Sequence, residues 1–409
     1  MKVSEVNKDL VGKLWHESNS ASMGGDPEYF VADGKGKILN ADAFFPGKEH
    51  PIIVKSRGNI DSKMFFDGIQ AEMAVAYSSC REYFADNIKW CWEAALAKLP
   101  SDHRLVLKPS ARIRKEIIER ADPEARRFGC APDFNAYTLT TNTPEMDASR
   151  HPFRYAGGHL HFGLTDIQYR PSKDPYRIMA TTEEGHLRII KFFDLLVTIP
   201  TLLLDNGPGA RRRRSKYGKA GCFRPTPYGI EYRTPSCWWL KSPMTVSIIY
   251  GLGRLAWTIV GKGLDGEFAR ALGTDEETIS GCINESDTKT VKGLWEKMRP
   301  YLALIGSPVT NPLNIGSVQT TKNDYTKDNY IGLNGLPRLQ GKAVYSLAAF
   351  EYMLKHGIDS VITNNVKAEW GLTEGSDYHN GVVSGAYSKL LNNKDFEKFQ
   401  DDFLGNLFK

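Results

Sequence analysis

The chain has 409 residues, of which 41% are hydrophobic and 25% charged, and its formal net charge is only +5. This composition is that of an ordinary soluble globular protein, long enough for one large or two medium domains. Both signs of charge are interspersed, so the overall charge does not indicate a nucleic-acid partner; the basic excess is local, at 211–214.

Two further features concern the compartment. The six cysteines have no C-x-x-C spacing, which argues against a zinc ribbon and is typical of reduced thiols in a cytosol. Charged residues such as Glu5 and Asp9 stand where a signal peptide needs an apolar run. The apolar stretch 189–204 is interrupted by charges and a proline, which favours a buried helix over a membrane span. We therefore expect a cytoplasmic protein that does not enter a membrane.

The first informative stretch is 24–31, where two glycines lead into an aromatic and β-branched run typical of a strand. Asp26 and Glu28 are two residues apart, so a strand places both carboxylates on one face. The alternative is a turn acid followed by a surface glutamate. At 67–75 a turn precedes a second strand, in which Glu72 stands among apolar neighbours and is either edge-exposed or held there for a reason.

The glycine-bounded stretch 157–163 alternates polar with apolar residues. As a strand it places His159 and His161 on one face and apolar side chains on the other. Each histidine could be an ordinary core or surface residue. Two of them on one face, between glycines that let a ligand approach the backbone, favour binding.

The stretch 211–233 opens with four arginines, passes through a glycine-bearing loop and closes on a short strand. Glu231 and Arg233 share one face of that strand. A surface ion pair, contributing about 0 to 1 kcal/mol, is the alternative to a functional site.

Helical periodicity and capping residues indicate a helical layer that can back a sheet. The expected helices are 81–99, 112–120, 182–204, 243–261, 275–283, 287–304, 342–356 and 394–408. Two long polar connections, 130–150 and 306–340, are candidate substrate-selecting loops. No P-loop or G-x-G-x-x-G motif supports a Walker or Rossmann nucleotide site.

If the three same-face pairs and Glu72 lie in one sheet, at least four carboxylates crowd together, and a cation is the simplest way to keep them charged. Oxygen ligands with one imidazole and no cysteine suit Mg²⁺ or Mn²⁺ better than zinc. Cations beside arginines form a polyphosphate site without a glycine-rich loop. The combination predicts ATP bound on a concave sheet.

Five motifs in order, D-P-E, D-G-x-x-x-E, G-G-H-x-H-x-G, R-x-x-Y-G-x-A-G-x-x-R and Y-G-x-E-Y-R, resemble the phage COOH.NH2 ligase-type 2 family of the glutamine synthetase-like carboxylate-amine ligase superfamily. The resemblance runs from Met23 to Trp239. It implies an α+β fold with a curved, mainly antiparallel sheet of the glutamine synthetase and guanidino kinase type, backed by helices. It also implies a catalytic domain over 1–262 and a mainly helical region over 263–409 that packs on it or completes the same domain.

The resemblance also implies roles for individual residues. The catalytic residues would be Glu28, Glu72, Glu231 and Arg233. The nucleotide would be held by His161, Arg214, Tyr217, Arg224 and Arg233, although which of the four arginines at 211–214 contributes stays open. Cations would be held by Asp26, Glu28, Glu72, His159 and Glu231, with Glu72 in a second cation site, and the number of cations stays open. Asp26 stands where the family usually carries glutamate.

The implied activity is ATP-dependent amide-bond formation through an acyl phosphate, with Mg²⁺ or Mn²⁺, between carboxylate and amine substrates that are small molecules or peptides. A phage protein of this kind would act in the host cytoplasm, and relatives form homo-oligomers. The alternatives are a kinase of the same superfamily and a nucleic-acid-binding or virion-associated protein that uses the arginines at 211–214 as a phosphate clamp. Because those arginines directly precede the Tyr-Gly loop, nucleic acid is the less favoured partner.

Overall fold

The computed structural model of the protein describes residues 2–14, 21–58, 60–123, 125–126, 133–142, 151–306, 346–372, 386, 389–390 and 392–408. Of the two predicted selector loops, 306–340 lies outside these residues except for its first position, and 130–150 is described only over 133–142.

Among the described elements, eleven of the thirteen strands lie before residue 165, and eight of the fourteen α-helices begin after residue 205. The strands are Ala21–Ala32 (β1), Ile38–Leu39 (β2), Ile52–Val54 (β3), Ser62–Asp67 (β4), Gln70–Ser78 (β5), Arg104–Val106 (β6), Ser110–Arg112 (β7), Asp133–Asn135 (β8), Thr141–Asn142 (β9), Phe153–Tyr155 (β10), Gly158–Leu164 (β11), Cys222–Thr226 (β12) and Gly229–Tyr232 (β13). The α-helices are Lys8–Leu14 (α1), Arg81–Ala97 (α2), Lys115–Arg120 (α3), Pro175–Thr181 (α4), Glu183–Phe193 (α5), Ile199–Leu202 (α6), Pro208–Arg214 (α7), Pro243–Gly261 (α8), Asp265–Leu272 (α9), Glu276–Asn284 (α10), Thr288–Gly306 (α11), Ser346–His356 (α12), Val366–Glu369 (α13) and Lys394–Phe408 (α14).

Eleven of the described strands form one sheet in which each pairing is antiparallel, with the order β3-β4-β5-β1-β11-β13-β12-β8-β9 and with β2 and β6 also paired to β1. The predicted α+β class with a mainly antiparallel sheet is therefore confirmed. The four strands on which site residues were predicted are neighbours, in the order β5, β1, β11 and β13.

One face of the sheet packs against helices. Phe162 of β11 lies edge-on to Phe193 of α5, with ring centroids 4.8 Å apart, and Phe193 in turn packs against Tyr232 of β13 at 5.4 Å. Trp257 of α8 lies over Phe162. These aromatic side chains alternate along their strands with the polar candidates, so burying this face turns the candidates to the opposite side.

Helix α8 supplies much of this backing layer. It begins with a capping box in which Ser242 and Thr245 satisfy each other's backbone amides, and Pro243 occupies its first turn. Among the described helices it is the one long and apolar enough to cross a membrane, with a mean hydropathy of 1.3, but 94% of its apolar window is buried within the protein. It fits the role of a core helix.

The stretch expected to be one helix over 182–204 is divided. Helix α5 is followed by a π-helical turn, Asp194–Thr198, before α6 begins. The described C-terminal helices pack onto the rest of the fold: Trp370 is fully buried, and its indole donates to the carbonyl oxygen of Leu240, 3.0 Å away, in a 3-10 helix that follows β13.

Candidate active site

The strand registers place the predicted site residues on the sheet face that is turned away from the helices. In an antiparallel pair, residues directly opposite one another point to the same side. Opposite pairs across β5, β1, β11, β13 and β12 are Glu72 with Glu28, Asp26 with His159, His161 with Glu231, and Glu231 with Arg224. The hypothesis that these side chains converge on one sheet is confirmed.

A first cluster joins Asp26, His161 and Glu231, each of which offers one ligand atom within 4.8 Å of the others. His161 Nε2 lies 2.9 Å from Asp26 Oδ2, and its Nδ1 lies 2.6 Å from the hydroxyl of Tyr228. Burial alone would lower the pKa of His161, but the adjacent carboxylates of Asp26 and Glu231 outweigh burial and raise it. The imidazole and carboxylates therefore form a charged group on the sheet.

Glu231 also faces two arginines. One of its oxygens accepts from Arg233 Nη1, and the other lies 3.7 Å from Arg224 Nη1. The Arg233 side chain is 3% exposed, whereas that of Arg224 is 27% exposed. Arg233 Nε lies 3.4 Å from Asp133 Oδ2, so two carboxylates orient its guanidinium. Arg224 is thus the more accessible cation of the two.

His159 and Tyr217 connect the histidine strand to Arg233. The hydroxyl of Tyr217 is hydrogen-bonded to His159 Nε2 and accepts from Arg233 Nη2 at 2.7 Å. His159 Nδ1 lies 3.6 Å from Glu231 Oε1. Burial, followed by the nearby arginines, holds the pKa of His159 well below its usual value, so this imidazole is neutral.

A second cluster joins Glu28, Asp67 and Glu72. One oxygen of Glu28 accepts from the amide of Gly157 at 2.6 Å. Burial and then the charge of Asp67 raise the pKa of Glu28 to about 7, and burial with neighbouring carboxylates raises that of Glu72 well above its usual value. Lys48 reaches this cluster, with its Nζ 2.9 Å from Asp67 Oδ2 and 3.8 Å from Glu72 Oε2.

The donor atoms of both clusters fit a hard divalent cation. The first offers two carboxylates and one imidazole, and the second offers three carboxylates, two of which have pKa values raised by burial and then by their carboxylate neighbours. Mg²⁺ and Mn²⁺ prefer such oxygen-rich sets, and a cation placed among carboxylates would favour their ionised form.

The predicted cation ligands are divided between these two clusters. Side chains two residues apart on a strand are separated by about 7 Å, so Asp26 and Glu28 lie at different positions along the strand and reach different clusters. In addition, His161 lies in the first cluster, where His159 had been predicted to bind the cation. His159 hydrogen-bonds Tyr217 instead. The ligand roles of all these residues remain predictions.

The four arginines at 211–214 point in different directions because they lie on helix α7 and not on a loop. Arg211 and Arg212 are exposed, and Arg213 is buried and donates to the carbonyl oxygens of Arg233 and Thr234. The structure does not bring Arg214 to the site. Its buried guanidinium donates to Asp205 and Ser286. Only two of the four are thus exposed, which weakens the nucleic-acid clamp as an alternative.

Replacing Gly218 with alanine is expected to lower the free energy of unfolding by about 2 kcal/mol, because two constraints act there. Gly218 has a φ of +73°, and an added Cβ would lie 2.3 Å from Arg213 Nη1. The residue next to it, Tyr217, would be displaced from His159, so kcat should fall as well. Urea unfolding and steady-state assays measure the two effects.

The matched control is Gly281→Ala, at an exposed position of helix α10 where no atom lies within 4 Å of the added Cβ. Alanine there should raise stability by up to about 1 kcal/mol. Equal stability losses for the two variants would contradict the role assigned to the turn at Gly218.

Four residues that contact the site were given no role from sequence: Asp67, Lys48, Asp133 and Tyr228. Asp67 could have been found, since it ends β4 directly before the hairpin turn and lies two strand positions from Phe65, the residue opposite Glu72. Lys48 and Asp133 lie in or beside loops without a readable period, and nothing in the local sequence indicated them.

Residues 180–268 match the model of a family described as Phage phiEco32-like COOH.NH2 ligase-type 2. No curated protein matches the chain. Among solved structures, a bifunctional glutathione synthetase from Pasteurella multocida is similar with 13% identity and a TM-score of 0.35, and the alignment covers 81% of this chain and 54% of that chain. The chain thus spans about half the length of that protein.

The matched segment contains the arginine half of the site, including Tyr217, Arg224, Glu231 and Arg233. The family match therefore confirms, over residues 180–268, the resemblance inferred from the ordered motifs: this part of the chain is a match to the phage COOH.NH2 ligase-type 2 family.

Proposed function

We propose that the protein is an ATP-dependent carboxylate-amine ligase that forms an amide through an acyl phosphate. The observation that carries this proposal is the setting of Glu231, which stands on one sheet face between a carboxylate-imidazole cluster and two arginines. Such a surface combines ligands for a cation with donors for phosphate oxygens. The match to a ligase family over residues 180–268 supports it.

The two clusters are the proposed holders of divalent cations. Asp26, His161 and Glu231 would hold one, and Glu28 with Asp67 and Glu72 would hold the other. Such cations, Mg²⁺ or Mn²⁺, supply charge neutralisation across the oxygens of the transferring phosphoryl group.

The proposed chemistry has two balanced steps. In the first, a carboxylate oxygen of one substrate attacks the γ-phosphorus of ATP, and ADP leaves with the electron pair of the broken bond. In the second, the amine nitrogen attacks the acyl carbon, phosphate leaves, and the amine gives up a proton. A carboxylate needs the first step because its own oxygen is a poor leaving group.

Within this scheme the chain's arginines have different tasks. Arg224 is exposed enough to donate to a phosphate or substrate carboxylate, whereas Arg233 is enclosed by Glu231, Asp133 and Tyr217 and orients the charged groups around it. The neutral imidazole of His159 hydrogen-bonds the hydroxyl of Tyr217, which also accepts from Arg233. Assignment of the sheet to the glutamine synthetase type, and small-molecule or peptide substrates, are part of the same proposal.

Hydroxylamine provides a test that does not require the amine substrate, because it intercepts acyl phosphates as hydroxamates. With ATP, Mg²⁺ and a panel of carboxylates, we expect ADP and a hydroxamate in equal amounts for the true carboxylate substrate, and neither without a carboxylate. A phosphorylated product that survives hydroxylamine would indicate a kinase and contradict the ligase.

A further inference from the structure

A cavity of about 390 Å³ opens on the same sheet face, directly beside the Asp26 and His161 cluster. We call it the glycine slot. Its lining includes Ser22, Gly24, Gly163, Tyr77 and Tyr228. The mechanism proposed above uses none of these five residues.

The floor of the glycine slot follows from strand register. Ser22 and Gly24 lie four and two residues before Asp26 on β1 and therefore share its face. They lie opposite Gly163 and His161 of β11, respectively. On β1 the floor thus carries a hydroxymethyl group and a hydrogen in place of larger side chains, whereas on β11 the ring of Tyr228 covers Gly163, where an added Cβ would lie 2.8 Å from Tyr228 Cδ2. Bare peptide groups of this kind accept a flat group at van der Waals distance.

The sides of the glycine slot are aromatic. Tyr77 of β5 is 40% exposed and Tyr228, in the turn before β13, is 41% exposed. An added Cβ on Gly24 would lie 3.3 Å from Tyr77 Cβ, which places Tyr77 on the floor side of the sheet. The Tyr228 ring lies over Gly163 and His161 of β11, so the two tyrosines stand on either side of the floor that Ser22 and Gly24 form on β1.

Three exposed large apolar side chains line this cavity together. Ile60, at 47% exposure, lines it together with the two tyrosines. Contact between water and three large apolar side chains in one concave region has a cost in free energy. A ligand that covers these side chains would remove that cost. Cavities of a few hundred Å³ that are lined by aromatic groups with a few polar ones are typical of small-ligand sites.

Tyr228 connects the glycine slot to the proposed chemistry. Its ring stacks on His161, with centroids 6.2 Å apart and an interplanar angle of 26°, and its hydroxyl contacts His161 Nδ1. A group seated in the slot therefore lies beside the first cluster, where phosphates would be held.

We propose that the glycine slot binds a planar aromatic or heteroaromatic ring of one of the ligands. This inference rests on the proposed function for the identity of those ligands. The ring has two sources with the same chemistry: the adenine base of ATP, or an aromatic group on the carboxylate substrate. Either one would lie on the peptide floor with a tyrosine at each side.

The test measures binding of three probes by isothermal titration: adenosine, indole-3-acetate, and tripolyphosphate with Mg²⁺. Tyr77→Ala removes one side of the slot at an exposed position, and Tyr228→Ala provides a second variant. The matched control is Tyr169→Ala, because Tyr169 is 80% exposed and lies outside the slot. Circular dichroism verifies that each variant is folded.

We expect at least one ring probe to bind, with affinity reduced about 10-fold in Tyr77→Ala and unchanged in Tyr169→Ala. Adenosine as that probe identifies the nucleotide base, and indole-3-acetate identifies a substrate ring. The inference is overturned when neither ring binds, or when both tyrosine variants bind it as well as the wild type does.

Tripolyphosphate separates this inference from the proposed function. It carries the phosphates without a ring, so its binding should depend on Mg²⁺ and on Glu231 and not on Tyr77. Failure of tripolyphosphate to bind would count against the proposed ligase site alone. Tripolyphosphate binding without any ring binding would count against the glycine slot alone.

Discussion

Replacing Glu231 with glutamine is expected to lower kcat by about 1,000-fold, a loss typical of removing a major electrostatic group from an active site. The change removes the negative charge that the first cluster shares with His161 and Asp26. It also leaves Arg224 and Arg233 without the carboxylate that lies between them. ADP release and hydroxamate formation measure the loss once a carboxylate substrate is known.

A binding experiment distinguishes loss of the cation from loss of folding. Electron paramagnetic resonance of Mn²⁺ should show weakened metal binding in Glu231→Gln, while circular dichroism stays that of the wild type. The control is Glu277→Gln, at an exposed position of helix α10. Wild-type turnover and Mn²⁺ binding in Glu231→Gln would refute the assignment of Glu231.

The second large effect is expected at Asp194, which lies on the buried side of the sheet. One of its oxygens accepts from the hydroxyl of Tyr232 at 2.5 Å and the other from the amide of Gly221 at 2.6 Å. Asp194→Ala leaves both donors buried without these bonds and should lower the free energy of unfolding by about 3 kcal/mol. Asp401→Ala, at an exposed position, should change it by no more than about 0.5 kcal/mol.

Asp194 also makes stability depend on pH. Burial raises its pKa in the folded protein to about 7, above the roughly 3.9 of an unfolded chain. Because the folded state holds this proton more tightly, its contribution is fully present below about pH 4 and is lost as pH rises through about 7, amounting to about 4 kcal/mol. Urea unfolding with a chelator present should show this slope in the wild type but not in Asp194→Asn.

Glu28 and Glu72 titrate in both proteins. Their contribution therefore cancels in the difference between the free energies of unfolding of the wild type and Asp194→Asn at each pH. Parallel stability curves for the two proteins would show that Asp194 does not titrate in this range. Such a result would leave the loss in Asp194→Ala attributable to its lost hydrogen bonds and packing, without a contribution from titration.

The faces of the site strands were predictable because a strand repeats every two residues. That rule alone placed Asp26 with Glu28, His159 with His161, and Glu231 with Arg233. Which strands are neighbours could not be derived from local pattern, since β1 pairs with β11 far along the chain. Only the ordered motifs suggested that these strands meet.

Two features of the site depend on finer geometry than the face of a strand. Asp26 lies directly opposite His159, but its carboxylate contacts His161, its diagonal neighbour, and the strand period does not distinguish the two histidines. Arg213 and Arg214 differ because successive residues of a helix point about 100° apart, and no helix had been expected at 208–214. A period of two or 3.6 residues determines a face, but the contacts between elements determine which residue on that face reaches a ligand.

The order of strands has a consequence for synthesis of the protein on the ribosome. Strand β1 lies between β5 and β11, and its partner residues in β11 are made roughly 130 residues after it, which takes on the order of 10 s at typical elongation rates. During that interval one hydrogen-bonding edge of β1 lacks its final neighbour, β11, and Asp26 lacks its contact with His161. We expect the nascent chain to need protection of this edge, for example by a chaperone, until β11 has emerged.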